Sequence, residues 1–188
     1  MKASGKKLLT IGVLALVAGL VVHTGGLVGS ALSPLHPEDK ERENERKSAA
    51  VGEIYKLQAD FHRAKTTQDI DLMMSLWDED GILNVQGNPN SPFIGAERIR
   101  SFWQTSGSFT HRRFSLVPSF KTQIDVDGNE AWLYFECHDV GDYDLPDRTI
   151  VVDTFLAGTV RKAGDRWVFS NMTAGKAFPL SVNHYYFP

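Results

Sequence analysis

The sequence predicts an α+β fold in which three N-terminal helices pack on one face of a curved antiparallel sheet, and three observations predict it. Apolar residues recur at helical spacing between residues 53 and 105, and from about residue 109 onward they alternate with a period of two. Two of the alternating runs flank Asp127-Gly128, the strongest hairpin signal in the chain, because both turn positions tolerate positive φ. Helices followed by hairpin-linked strands place the helices on one side of an antiparallel sheet.

The chain has 188 residues, is 42% hydrophobic and carries a formal net charge of -3, which suits one packed domain and argues against disorder. Without clustered excess Lys and Arg there is no electrostatic footprint for nucleic acid. The N-terminus is a different material. Lys2, Lys6 and Lys7 precede the apolar run 8–22, and Gly29-Ser30-Ala31 supplies small residues suited to cleavage, so residues 1–32 read as a signal peptide. Extended to Leu32, the same run reaches the roughly 20 residues that span a bilayer, so an uncleaved anchor is the competing reading. Both place the folded part outside the cytoplasm, in the periplasm or beyond. Residues 33–48, with two prolines and mixed charge, read as a polar linker or a frayed helix start; the domain is expected over 49–180 and a tail over 181–188.

Ile54, Leu57, Phe61 and Ala64 form the stripe of the first helix, and Leu72, Met73, Leu76 and Trp77 that of the second. Asp69 between them is an N-cap, its carboxylate able to accept from free amides of the next turn, and Asp71 adds charge favoured by the helix dipole. Asp78-Glu79-Asp80-Gly81 is expected to stop that helix with Gly81 at positive φ, and residues 82–85 to begin a strand. The turn formers of 86–92 make a loop; a third helix runs from Gly95 through Ile99, Phe102 and Trp103 and ends at Gly107. Phe114, Leu116, Pro118, Ile124 and Val126 share one phase of a long strand. The return strand, 131–138, presents Ala131, Leu133, Phe135 and Cys137 on one face and Trp132, Tyr134, Glu136 and His138 on the other. Residues 125–130 also have the flavour of a calcium loop, but the later ligands are missing and a hairpin explains the segment fully. A loop over 141–148, a strand over 149–160 and a last strand over 167–172 complete the domain.

Cys137 has no second cysteine to pair with, and burial in its apolar alternation is its expected fate. Glu136 and His138 share a face with aromatic residues, an environment that couples an acid/base pair. Asp153 lies within an apolar strand, where an unpaired carboxylate would be costly, so it is either partnered or functional. His62 borders the stripe of the first helix, and His111 falls on the polar phase at the start of its strand. No ligand spacing such as HxH supports a metal site, and no phosphate-binding glycine loop, dinucleotide motif, nucleophile elbow or HExxH helix is present, so no cofactor is expected.

The order of elements, with Phe61, His62, Ala64, Asp69, Leu76, Trp77, Asp80, Gly81, Ile94, Gly95, Ile99, Phe102, His111, Asp127, Gly128, Ala131, Gly164, Trp167 and Asn171 in their places, resembles the SnoaL-like branch of the nuclear-transport-factor-2-like superfamily over roughly residues 50–177. The resemblance implies a cone-shaped α+β barrel whose pocket hosts isomerases, dehydratases, hydrolases and cyclases as well as members that only bind or assemble. It assigns His62 and His111 to positions that are polar in scytalone dehydratases, Tyr55 to the first-helix Tyr of ketosteroid isomerases, and Asp153 to the sheet Asp of SnoaL-type cyclases. Catalytic candidates are therefore His62, His111, Glu136, His138 and Asp153, with Tyr55, Trp77, Phe102, Tyr134 and Asn171 expected to line the pocket. The expected function is binding of a small apolar oxygenated molecule, with general acid/base chemistry of the isomerase, dehydratase or hydrolase type. The alternative is a non-catalytic, membrane-tethered accessory domain that uses its sheet face and the tail His184-Tyr185-Tyr186-Phe187 for docking. A homodimer is expected from family habit.

Overall fold

The computed structural model of the protein describes residues 36–142 and 149–177. The apolar run at 8–32, the core of the 141–148 loop and the tail at 181–188 lie outside the described residues. Among those described, no helix is long and apolar enough to cross a membrane.

The first helix, α1 (Pro37–Thr67), begins earlier than the domain expected from residue 49. Pro37 starts it, with Glu38 and Asp39 in the first turn, where a fixed φ and negative charge are both favoured. Most of the segment read as a polar linker or a frayed helix start is therefore helical. The pairs Arg42–Asp39 at 2.5 Å and Arg46–Glu43 at 3.0 Å brace a stretch that is polar all round, and Ala50 is the first buried residue. From there Ile54, Leu57, Phe61 and Ala64 are buried, as their spacing required.

Gln68, in the left-handed region at φ 54°, ends α1, and the Asp69 side chain accepts from the Leu72 N–H at 2.9 Å to cap α2 (Ile70–Ser75). Strand β1 (Trp77–Val85) then starts five residues before the expected Ile82, which corrects the helical reading of Trp77. Tertiary pairing decides it: Trp77 lies opposite Phe169, and the Phe169 N–H donates to the Leu76 carbonyl at 2.8 Å. Nor does Gly81 adopt positive φ. It is small because a Cβ there would stand 3.0 Å from the Asp78 carbonyl oxygen and 3.3 Å from the Trp77 ring.

The two-residue β2 (Phe93–Ile94) pairs with β1, and α3 (Ala96–Thr105) starts after Gly95 at φ 82°. A further turn, α4 (Gly107–Thr110), continues past the expected end of the third helix. The long strands follow as β3 (Arg113–Asp127), β4 (Glu130–Asp142), β5 (Thr149–Ala163) and β6 (Arg166–Lys176). Asp127 opposes Glu130 across the predicted hairpin, with Gly128 at φ 59°. Among the described residues six strands form one sheet in the order β2-β1-β6-β5-β4-β3, all neighbours antiparallel except β1 and β6. The sheet is curved and unclosed, and register shifts between Pro118 and Thr122 and at Thr159/Val160 are the bends that a bulge introduces.

The helices cover one face. Phe61 meets Phe135 of β4 and Phe169 of β6 edge to face, with centroids at 5.4 and 5.7 Å. Ala131, Leu133, Phe135 and Cys137 are buried beneath the helices, whereas Trp132 on the opposite face is 45% exposed. Glu53 ties α1 to the far hairpin by accepting from Trp167 Nε1 and Lys162 Nζ, each at 2.9 Å.

Candidate functional site

The concave side of the sheet, where it meets the last turn of α1 and helix α3, holds a cleft of about 210 Å³ with mainly apolar walls. Phe61 and Lys65, one helical turn apart, share the face of α1 that looks into it; Phe102 and Trp103 come from α3, and Cys137, Asp139, Thr154 and Leu156 from β4 and β5. Side chains two apart on a strand point the same way, so Asp139 continues the inward row of Leu133, Phe135 and Cys137.

One charged pair stands in this apolar setting. Lys65 Nζ donates to both carboxylate oxygens of Asp139 at 3.0 Å, and their side chains are 5% and 17% exposed. Thr154 Oγ1 donates to Asp139 Oδ1 at 3.2 Å, and the Cys137 sulfur lies 3.2 Å from the same hydroxyl. Three rings surround the ammonium, Phe114 at 5.2 Å, Phe61 at 5.6 Å and Trp103 at 6.0 Å from their centroids. Low dielectric strengthens the attraction between such a pair and makes the loss of one partner costly, so the two side chains act as a unit. Burial pushes the Cys137 thiol up to about 11, against the opposing pull of Lys65, which leaves it protonated and a poor nucleophile near neutral pH.

The residues proposed from the sequence sit elsewhere, Phe102 excepted. His62 and Tyr55 line a separate groove between α1 and β3 with Gln58, Ala59 and Pro118. His62 packs edge-on against Phe135 at 5.5 Å, its Nε2 is buried without a hydrogen-bond partner among the described residues, and burial, aided by the Lys65 charge, lowers its pKa to about 4. His111 ends α4 with Nδ1 against the Gly107 carbonyl, and its own carbonyl accepts from Gln68 Nε2 at 2.8 Å; the cleft wall runs instead through Ser106 and Ser108.

Glu136, His138 and Asp153 occupy the opposite face of the sheet from the cleft. Glu136 accepts from Lys121 Nζ at 2.8 Å and from the Tyr134 hydroxyl, and His138 Nδ1 is 2.5 Å from Asp153 Oδ1 directly across β4 and β5. Asp153 is thus partnered by a histidine, one of the two fates open to it from the sequence. Among the residues expected to line the pocket, Trp77 is packed in the core against Phe169, Tyr134 stacks on Trp132 on the outer face, and exposed Asn171 accepts from Asn84 Nδ2 at 3.2 Å. No group of three or more His, Cys, Asp or Glu side chains suited to a metal occurs among the described residues.

Lys65 and Asp139 escaped the sequence reading although each left a trace. Lys65 follows Phe61 by four residues, which puts it on the buried stripe, and Asp139 follows Cys137 by two. Ending the return strand at His138 removed Asp139 from that pattern, and a lysine beside a stripe is ordinarily taken for its solvated edge.

A family model for the SnoaL-like domain matches residues 59–173. No curated protein matches the chain. Among solved structures, a putative scytalone dehydratase from Novosphingobium aromaticivorans is 18% identical, over 72% of this chain and 89% of that one, with a TM-score of 0.63. LinA is 15% identical over 77% of this chain and 99% of its own, with a TM-score of 0.63. A hexachlorocyclohexane dehydrochlorinase, LinA-type3 from Novosphingobium barchaimii, is 13% identical over 72% and 91%, with a TM-score of 0.62. At these identities the likeness is one of fold.

Proposed function

The chain belongs to the SnoaL-like family, and on that premise we propose that its cleft binds a small, largely apolar molecule by an oxygen function and moves a proton on it with the Lys65–Asp139 pair. The observation that carries this reading is a lysine and an aspartate paired bidentately inside an apolar cleft. Stability alone gives little reason for an ion pair there, since hydrophobic residues of similar volume are often as stabilising. Lys65 would donate a hydrogen bond to a ligand carbonyl or hydroxyl oxygen while Asp139 accepts a proton from the adjacent carbon. Dehydratase and dehydrochlorinase, the activities named for the fold neighbours, are eliminations that require such a base, which makes elimination or isomerisation the reaction class to test first. The cleft volume lies under the roughly 300–1,000 Å³ of drug-sized sites, so single-ring ligands are the expected size.

The test is a thermal-shift screen against phenolic, terpenoid and steroid ketones and alcohols. A ligand present at 100 times its Kd stabilises the protein by about 2.7 kcal/mol. That stabilisation should vanish in Lys65→Met at matched folding, and a ligand that stabilises both forms equally would place binding elsewhere.

Export, with residues 8–32 either cleaved or kept as an anchor, is supported by the lysines and apolar run that open the chain, and fractionation of the expressed protein tests it. Docking through the outer sheet face is the second reading. It is favoured by half-exposed Trp132, stacked at 8° on Tyr134, which itself stacks on Phe155 at 6.0 Å. If that face forms a dimer, Trp132→Glu lowers the sedimentation coefficient; an unchanged monomer before and after substitution removes this reading.

A further inference from the structure

We propose that Lys65 is a carbonyl-capturing amine, and that the ligands of the cleft include small aldehydes or ketones held as a Schiff base on its Nζ. The proposal deepens the reading above and rests on Lys65–Asp139 as the anchor of the cleft.

Lys65 is the one buried lysine among the described residues; Lys40, Lys47 and Lys56 are exposed, and so is Lys176, which also lines the cleft. Imine formation needs a nearby group to take a proton from the ammonium and return it, and surroundings that keep water from reversing the condensation. Asp139 meets the first need, because both its oxygens already accept from Nζ at 3.0 Å. Phe61, Trp103 and Phe114 meet the second.

The step balances with these groups alone. Transfer of one ammonium proton to Asp139 frees the Nζ lone pair, which forms a bond to the carbonyl carbon as the carbon–oxygen π pair moves to oxygen. A proton passes from nitrogen to that oxygen, giving a neutral carbinolamine. Protonation of its hydroxyl by Asp139 breaks the carbon–oxygen bond, releases water and leaves a protonated imine on Lys65. The iminium carries the same single positive charge as the ammonium it replaces, so the Asp139 carboxylate and the three rings face an unchanged charge. Burial separates Lys65 from a surface lysine, whose iminium would lie open to water.

The experiment uses the full chain with benzaldehyde and cyclohexanone as probes and cyanoborohydride to reduce any imine to a stable amine, followed by peptide mapping of the added mass. Lys65 should be labelled at least about tenfold faster than Lys40 or Lys47 in the same sample, the advantage of a desolvated, oriented amine. Asp139→Asn should remove most of that advantage, while Lys65→Arg should abolish the label at position 65 and leave those on the exposed lysines, Lys176 included, intact. Because the comparison is internal to the native protein, it stands even if a variant folds poorly. Label on Lys40 and Lys47 without label on Lys65 overturns the proposal. If the same probe nevertheless raises the melting temperature or quenches Trp103, the cleft binds carbonyl compounds without capturing them; if it does neither, the reading of the cleft as their site falls as well.

Discussion

The energetic unity of Lys65 and Asp139 can be measured by a double-mutant cycle. Lys65→Met keeps the length of the side chain and removes the charge, leaving a carboxylate that is 17% exposed with the Thr154 hydroxyl at 3.2 Å as its remaining close donor. Removing one partner of a buried pair costs about 3–5 kcal/mol, and the residual hydrogen bond and partial exposure put this case at the lower end, about 3 kcal/mol. Asp139→Leu strands an ammonium that keeps its three aromatic neighbours, each contact worth about 0.5–2 kcal/mol, so its cost should be smaller, about 2 kcal/mol. The double variant removes both charges and should fall within about 1 kcal/mol of the parent, because a hydrophobic replacement of a buried pair is often neutral. Urea unfolding reads the cycle. With an m-value of about 1.5–2 kcal/mol/M, Lys65→Met lowers the midpoint by roughly 1.5–2 M and the double variant by less than about 0.7 M. The double variant should also be folded yet blind to cleft ligands. Additive single effects, with a coupling below about 0.5 kcal/mol, would mean that the pair is screened like a surface salt bridge and would refute the argument for a desolvated polar anchor.

Three further outcomes are expected. The folded-state pKa of His62, lowered from 6.5 to about 4, means that below pH 6.5 the unfolded chain takes up a proton the folded chain refuses, so stability falls between pH 6.5 and 4. The ceiling for that shift is about 3 kcal/mol, reduced by partial exposure to about 1–2 kcal/mol, and His62→Phe should flatten a melting-temperature profile over that range. Cys137, buried with its thiol held up at about 11, should resist a thiol reagent at pH 8 in the native protein and react at once in urea; rapid native labelling would show that the cleft opens to reagent. Gly158 sits at φ 150° in β5, where a Cβ would overlap the Asn171 carbonyl oxygen and approach Met172 Cα to 2.9 Å. Gly158→Ala should therefore cost more than about 3 kcal/mol by urea unfolding, because a backbone obstacle cannot turn aside; a loss under about 1 kcal/mol would show that the strands move apart freely there.

Local chemistry made much of the fold legible. The stripe from Ile54 to Ala64, the Asp69 cap, the Asp127-Gly128 turn and the inward row of β4 each depend on residues a few positions apart, and each appears where the spacing placed it. The errors fall where distant segments meet. Trp77 has helical spacing with Met73 but belongs to a strand because Phe169, more than ninety residues away, pairs with it. The sequence likewise narrowed the candidate chemistry to a few ionisable groups among aromatic residues without saying which lay together. Periodicity sorts a strand into two faces; it does not say which face the helices cover. By itself, then, the sequence determined most of the elements, their order, the family and the acidic and basic groups available. Only the tertiary structure decided that Glu136, His138 and Asp153 face away from the cleft while Lys65 and Asp139 meet inside it. The physical reason is that spacing can place Lys65 and Asp139 each on an inward row, but a bidentate contact between residues 74 positions apart depends on the docking angle of α1 across the curved sheet, a sum of many small packing terms that spacing along one element does not fix.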